Sequence, residues 1–354
     1  MRSFGVKLLL VLLPVLLMVM GNVVFDPAHV LRDGPERRIV DLLMAGKPAG
    51  AIVNLDERRL VYDYLQRLPA AREVTVIGSS RGMQIRGRLF AGSTFFNASV
   101  SGATLEDLFA IAGEHARRGL LPRRMVIDLP PRLVGVVEGG DQWRVMEAGY
   151  DVVADASGLP RPAPGRSIGR DRIEAIVSPA YFQQALREVK ARRSLRLAAP
   201  LEGTDQGALM PDGSRMYPRS VRDRTPEQVE GMAVARAAAL HRAPELAAFA
   251  RVDAVSARRF EALIAFLRAH HVEVALVLAP FHPTLVRLLR ASNDYGPFST
   301  AEVFYRGLAT RLAVPIGGSY DDVVAGCTGD EFYDSEHPRE SCVARILRTM
   351  SVVE

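Results

Sequence analysis

The chain has 354 residues, a formal net charge of +5, 48% hydrophobic residues and 24% charged residues. This composition is that of a globular protein and excludes a disordered or collagen-like chain. The arginines are scattered and form no basic block interleaved with aromatic residues, so the sequence predicts no nucleic-acid partner. The length allows one large domain or two ordinary ones.

Residues 1–25 form the most apolar stretch of the chain. Arg2 and Lys7 precede a run from Leu8 to Met20 that continues through Phe25. The stretch reaches the length of about 20 residues that a helix needs to cross the hydrocarbon core of a bilayer. A cleavable signal peptide is the alternative, but no small-residue cleavage site follows. We therefore predict a transmembrane signal-anchor in the inner membrane, and the basic residues before it predict that the rest of the chain is periplasmic.

The two cysteines of the chain, Cys327 and Cys342, lie near the C-terminus. Their spacing fits a single disulfide in an oxidising compartment, with two independent buried thiols as the alternative. The closely paired ligands of a zinc site are absent from the sequence, so we predict no metal and no cofactor.

Strand and helix patterns alternate after residue 72. Short apolar runs in "REVTVIGSS", "TFFNAS", "RRMVIDLPP" and "VEVALVLAPFHP" predict strands, and "TLEDLFAIAGEHARRG" predicts a helix that Thr104 opens. Such alternation predicts an α/β domain over 73–354, with a parallel sheet covered on both faces. Residues 26–72 are predicted to be a juxtamembrane helical region.

Between about residues 135 and 225 this alternation stops. The stretch is rich in Gly, Pro and Arg and contains one convincing helical pattern, over 178–193. We interpret it as an insertion or lid over the core of the domain.

Polar residues follow several of the predicted strands. In parallel sheets, active residues lie in the loops at the carboxyl ends of the strands. Ser80, Asn97, Arg132, His282 and Asp334 all fall at such places. They are therefore the first candidates for a functional site.

The segment "GSSRG" contains the pattern G-x-S-x-G of the α/β-hydrolase nucleophile turn. That fold places its Ser, acid and His on separate loops, whereas Asp334 and His337 here lie three residues apart on one loop. A purely structural role is the alternative, because Ser79 or Ser80 can cap the helical turn that follows.

Three segments together resemble the SGNH (GDSL-like) hydrolase superfamily: "GSSRG", "FFNASVSGATLED" and "DSEHP". The resemblance implies a three-layer α/β/α, flavodoxin-like fold. It further implies that Ser80 is a nucleophile served by Asp334 and His337. The backbone N–H groups of Ser80 and Gly102 are then expected to form the oxyanion hole.

The chain departs from this family after the third strand. Family members have a Gly-x-Asn-Asp segment there, whose Asn donates to the oxyanion, whereas this chain has "VIDLPPRLVG" with Arg132 near the expected place. Arg132 either replaces that donor, binds a carboxylate or phosphate of the substrate, or is a surface residue after a Pro-Pro turn.

Four further residues are candidate substrate contacts because they lie near these motifs: Ser79, Arg81, Asn97 and His282. For His282, which precedes a proline, a structural role is the alternative.

A narrower resemblance is to membrane-anchored, extracytoplasmic SGNH-like proteins, which include the D-alanine transfer protein of teichoic acid synthesis and the alginate O-acetylation proteins. It implies a serine esterase or O-acyltransferase that acts on acyl groups, notably acetyl, of cell-envelope or exported polysaccharide or glycolipid. A membrane-bound O-acyltransferase is the implied protein partner. The alternative is a catalytically weak SGNH-like scaffold that binds glycan or that acyltransferase.

Overall fold

A computed structural model provides the structure of the chain. It describes residues 2–26, 34–50, 55–136, 140–161, 168–183, 186, 207–241, 243, 245–248 and 250–350. Much of the predicted insertion, including residues 187–193 of its predicted helix, lies outside the described residues. So do the side chains before residue 12 in the predicted anchor.

The strands and the α-helices of the described residues are numbered separately, each in chain order. The strands are β1 (Ala49–Gly50), β2 (Val74–Ile77), β3 (Phe95–Asn97), β4 (Arg124–Asp128), β5 (Ala208–Leu209), β6 (Arg215–Met216), β7 (Glu273–Leu278) and β8 (Ile316–Gly318). The α-helices are α1 (Arg2–Phe25), α2 (Glu36–Met44), α3 (Glu57–Arg67), α4 (Leu105–Arg117), α5 (Glu147–Ala156), α6 (Ile168–Val177), α7 (Arg219–Arg222), α8 (Pro226–Leu240), α9 (Glu245–Ala248), α10 (Ala254–Ala269), α11 (Pro283–Ala291), α12 (Gly296–Leu312), α13 (Asp322–Ala325) and α14 (Glu340–Thr349). Short 3-10 turns include Ser80–Gln84 and Pro131–Val134.

Five strands form one parallel sheet in the order β3-β2-β4-β7-β8. Successive residues of β4 face opposite sides, as the two-residue period of a strand requires. Met125 and Ile127 pack in one apolar cluster with helices α3, α4, α10 and α12, and Val126 packs in a second cluster with α14. The predicted α/β class, with a parallel sheet flanked by helices, is confirmed.

Helices α2 and α3 pack against the α/β core rather than standing apart from it. Arg58 on α3 donates two 2.9 Å hydrogen bonds to the carboxylate of Asp107 on α4, and both side chains are buried. Tyr64 stacks on Phe96 of β3 with ring centroids 3.6 Å apart. Strand β3, at one edge of the sheet, is therefore covered by residues that precede it in the chain.

The last turn of α1 contacts the helical segment around α6. The side-chain amide of Asn22 donates to the carbonyl oxygens of Ala175, Ile176 and Ser178, at 2.9 to 3.1 Å. Within the part of the chain that the structure describes, no helix combines the length and the apolar character that a membrane crossing needs.

The described parts of 135–225 hold more regular structure than the sequence analysis predicts. A 3-10 turn at Asp141–Met146 and helix α5 pack on α3 and α4, and they bury Trp143 and Tyr150 in the core. Gly149 inside α5 weakens the helical pattern of that segment, which explains why the sequence does not reveal it. Strands β1, β5 and β6 form a small antiparallel sheet.

Candidate active site

The candidate nucleophile lies in the turn that follows β2. Ser79 caps this turn by accepting a hydrogen bond from the N–H of Arg81, and Ser80 begins the turn itself. Gly78 has a φ of +144°, and a Cβ atom on it would lie 2.6 Å from the Cβ atom of Asp128. A glycine is therefore required where the ends of β2 and β4 approach each other.

The candidate base and acid lie on the loop between Cys327 and Cys342. These cysteines form a disulfide with Cα atoms 5.5 Å apart, as predicted. Within the loop, the N–H groups of Glu336 and His337 donate to Oδ1 of Asp334 at 2.9 and 3.0 Å. The acid is thereby fixed by the backbone of the segment that carries the base.

Ser80, His337 and Asp334 form a continuous chain of hydrogen bonds. Ser80 Oγ lies 2.9 Å from His337 Nε2, and His337 Nδ1 lies 2.9 Å from each carboxylate oxygen of Asp334. The side chains of His337 and Asp334 are 22% and 21% exposed, so a substrate can reach them. Burial raises the pKa of Asp334, but the hydrogen bond and charge of His337 outweigh it and hold that pKa below its usual value.

Gly102 lies in the turn after β3, beside the nucleophile turn. The N–H of Val100 donates to the carbonyl of Gly78 at 2.9 Å, which places the two turns side by side. Gly102 has a φ of +64°, a conformation that glycine adopts without strain. The Nη2 atom of Arg132 is 3.3 Å from the place of a Cβ atom on Gly102.

Glu57 holds this turn from the side of α3. Its carboxylate accepts hydrogen bonds from the backbone N–H and, at 3.1 Å, from the hydroxyl of Ser101. The same carboxylate pairs with Arg215 of β6 at 2.9 Å. The turn that carries Gly102 is thus tied both to α3 and to the β5–β6 hairpin.

Three of the other candidate contacts are buried and bonded to the protein itself. Asn97 donates from Nδ2 to the carbonyls of Gly82 and Ile85, both at 2.9 Å. His282 is 5% exposed and accepts at Nδ1 from the N–H of Thr284, so it caps α11. Its burial lowers its pKa. Ser79 donates to Asp128 at 2.6 Å.

Arg81 connects the nucleophile turn to the loop of the base. Its guanidinium donates to the carbonyls of Glu336 at 3.1 Å, Pro280 at 2.9 Å, and Ala279. It also stacks on the ring of Phe281, 3.9 Å from the centroid. Arg81 is 6% exposed, so it positions the residues around it rather than facing solvent.

Asp128 and Tyr217 also lie at the site, and neither is among the predicted site residues. Asp128 ends β4, is 1% exposed, and accepts hydrogen bonds from the N–H and hydroxyl of Ser79. Burial raises its pKa. Its position at the end of a buried strand is the signal that could have revealed it.

Tyr217 follows β6, and its ring centroid lies 6.1 Å from that of His337 and 4.8 Å from that of Tyr333. Burial, and then the charge of Asp334, raises its pKa. The hairpin that carries Tyr217 is fixed to the sheet edge, since the carbonyl of Asp212 accepts from the N–H of Asn97 at 2.8 Å. No motif marks Tyr217 in the sequence, because it lies in the Gly, Pro and Arg-rich stretch.

Among the residues that the structure describes, no group of three or more His, Cys, Asp or Glu side chains is arranged to hold a metal ion. No protein-family model matches the chain, and a search of curated proteins finds no match. The function of the site is therefore inferred from its geometry.

Proposed function

We propose that this chain is an SGNH-type serine esterase or O-acyltransferase. The observation that carries the proposal is the hydrogen-bonded series Ser80–His337–Asp334, which is the arrangement that activates a serine hydroxyl. The sheet order supports it, because numbering the five strands along the chain gives 2-1-3-4-5, the order of flavodoxin-like sheets. The resemblance of the three sequence motifs to SGNH hydrolases supports it independently.

In the proposed reaction, Ser80 Oγ attacks the carbonyl carbon of an ester while His337 Nε2 takes the hydroxyl proton. Asp334 holds the proton on Nδ1 and stabilises the imidazolium that forms. The N–H groups of Ser80 and Gly102 stabilise the oxyanion. The alcohol leaves with the proton from His337, and an acyl-enzyme remains. Water or a sugar hydroxyl then attacks the acyl carbon, and Ser80 regains its proton.

The proposed substrates are acyl, notably acetyl, esters on cell-envelope or exported polysaccharide or glycolipid. The apolar N-terminal stretch and the membrane-anchored relatives that the sequence resembles support this choice. The proposal includes an inner-membrane anchor, a periplasmic catalytic domain and a membrane-bound O-acyltransferase as partner. A disulfide between Cys327 and Cys342 is compatible with an oxidising compartment.

Labelling with a fluorophosphonate tests the nucleophile. The wild-type protein should react once, and Ser80→Ala should abolish the reaction. Ser299→Ala, which removes an exposed hydroxyl on α12, serves as the matched control and should label normally. A folded wild-type protein that neither labels nor cleaves acetyl esters would overturn the enzymatic proposal and favour the non-catalytic scaffold.

Product analysis with an acetylated sugar ester separates hydrolysis from transfer. The ester is supplied with and without a second sugar as acceptor, and the products are separated by mass. Free acetate alone identifies an esterase, whereas an acetylated acceptor identifies a transferase. Both products should disappear with Ser80→Ala.

A further inference from the structure

A pocket of roughly 200 Å³ opens beside the turn of Gly102. Its walls come from the first turn of α4, from the 3-10 turn after β4 and from the first turns of α10. The residues that matter here are Gly102, Glu106, Arg132, Gly135, Ser256 and Arg259. Gly102 belongs both to this pocket and to the proposed oxyanion hole, so the pocket adjoins the candidate active site.

Arg132 supplies a positive charge to this pocket. Its guanidinium makes no hydrogen bond or ion pair within the described part of the chain. The second arginine of the pocket is already occupied, since Arg259 pairs with Glu106 at 2.7 Å and donates to the hydroxyl of Tyr150 at 2.8 Å. The charges of Arg259 and Glu106 cancel, so the charge of Arg132 is left to act on a ligand.

The pocket also lies at the N-terminal ends of two helices, α4 and α10, where the helix dipole is positive. Three acidic residues lie at these ends, and Glu106 is the one already described as the partner of Arg259. Asp107 accepts from the backbone N–H of Thr104 at 2.8 Å and pairs with Arg58, and Asp253 caps α10 by accepting from the N–H of Ser256 at 2.7 Å. The carboxylate of Asp253 offsets part of the dipole of α10, so the guanidinium of Arg132, which is unpaired among the described residues, is the main reason to expect an anion in this pocket.

We propose that this pocket binds an anionic group, a carboxylate or a phosphate, of the same substrate molecule whose ester reacts at Ser80. The planar guanidinium of Arg132 matches both groups, because each offers two oxygens to a pair of parallel N–H donors. The inference rests on the proposed function and narrows its substrate class to acylated glycans or glycolipids that carry negative charge beside the ester.

A pair of esters that differ only in charge tests the proposal. The substrates are the anionic 4-acetoxybenzoate and its neutral methyl ester. For the wild-type protein and each variant, kcat/KM is measured for both esters and their ratio is calculated. Comparing this ratio between proteins cancels the difference in intrinsic reactivity of the two esters. Arg132→Ala should lower the ratio of anionic to neutral ester about 10- to 100-fold, the worth of a charge-assisted hydrogen bond. Arg132→Lys should restore part of it.

Arg348→Ala is the matched control, because it removes an exposed arginine from α14 and changes the net charge equally. It should keep the wild-type ratio. If Arg132→Ala slows both esters by the same factor, the ratio is unchanged, Arg132 acts on the oxyanion and the proposal is overturned. If Arg132→Ala slows neither ester, Arg132 has no role in the reaction and the proposal is overturned as well.

Binding measured on the Ser80→Ala protein separates this inference from the proposed function. Calorimetric titrations use glucuronate, inorganic phosphate and uncharged glucose. One or both anions should bind, glucose should not, and adding Arg132→Ala should abolish anion binding. Tighter binding of glucuronate or of phosphate identifies the group. Anion binding without any esterase activity in the wild type would refute the proposed function alone, whereas no anion binding would refute the pocket.

Discussion

At the scale of single residues, Asp334 is held by more than its partner histidine. Its Oδ1 atom accepts from the N–H groups of Glu336 and His337 as well as from Nδ1 of His337. Burial raises the pKa of Asp334, but these bonds outweigh it and lower that pKa, so the carboxylate stays ionised at any pH at which a neutral His337 can act as a base. An ionised Asp334 fixes the proton on Nδ1 and leaves Nε2 free to accept from Ser80.

Asp334→Asn should lower kcat for an acetyl ester about 10³- to 10⁴-fold while the protein stays folded. The amide oxygen can still accept from the backbone N–H groups, but the amide NH2 facing Nδ1 forces the proton onto Nε2. Turnover and the melting temperature are measured together. Asp330→Asn is the control, because it makes the same change at an exposed position of the same disulfide-closed loop. Full turnover in Asp334→Asn would remove Asp334 from the triad.

The three residues of the hydrogen-bonded series were predictable because each lies in a short motif. The residues that position them were harder to predict. Asp128 and Arg81 act through atoms of distant segments: Asp128 holds Ser79 across the sheet, and Arg81 holds the carbonyl of Glu336, which is 255 positions away. Such contacts depend on how the chain folds back on itself, which no local pattern specifies.

At the scale of elements, α4 carries a histidine in an unusual setting. His115 is fully buried, and its Nδ1 atom lies 3.0 Å from the carbonyl of Leu120, so Nδ1 holds the proton. Its Nε2 atom is buried without a partner in the described part of the chain. Burial lowers the pKa of His115 from 6.5 to about 4. The folded state therefore resists a proton that the unfolded chain takes up readily.

His115 should make stability fall with acid between pH 6.5 and about 4. In this window the unfolded chain binds a proton and the folded chain does not, so the free energy of unfolding drops, by about 3 kcal/mol in full. The full free energy of unfolding is retained above pH 6.5, where neither state binds this proton. His115→Asn keeps a donor for Leu120 and cannot titrate, so urea unfolding at several pH values should show a flatter dependence. His271→Asn, at an exposed position, should keep the wild-type dependence.

Elements with strong local signals were predictable. Thr104 caps α4 with Asp107 in a reciprocal pair of hydrogen bonds, and the buried strands read as continuous apolar runs. The β5–β6 hairpin was not predicted, because each of its strands has only two residues and no alternation develops over that length. Its place beside His337 comes from packing against β3.

At the scale of the whole molecule, the helices before the sheet belong to its core. Arg58 forms a buried ion pair with Asp107, and Leu60 and Leu65 of α3 are at most 4% exposed. Glu57 reaches the turn of Gly102. The region that the sequence analysis assigns to a juxtamembrane segment thus supports both the fold and the site.

A chain that begins at Glu73 should fail to fold, whereas a chain that begins at Gly34 should unfold cooperatively. Losing α2 and α3 uncovers Phe96 and leaves the buried carboxylate of Asp107 without its ion-pair partner. Circular dichroism during heating distinguishes the two chains. Arg58→Ala in the full chain is the finer test and should cost about 3–5 kcal/mol of stability. A cooperative transition in the chain from Glu73 would contradict this view of the core.

Ser80 and His337 are 257 positions apart in the sequence. All five strands of the main sheet precede His337. Ribosomes make the chain from its N-terminus, and a domain generally folds as a unit. Ser80 is consequently synthesised long before His337. A nascent chain, or one cut by a protease just before Asp334, contains the sequence of all five strands but lacks His337, Asp334 and helix α14. Competence for the proposed acyl chemistry is thus acquired as one of the last events in the synthesis of the chain.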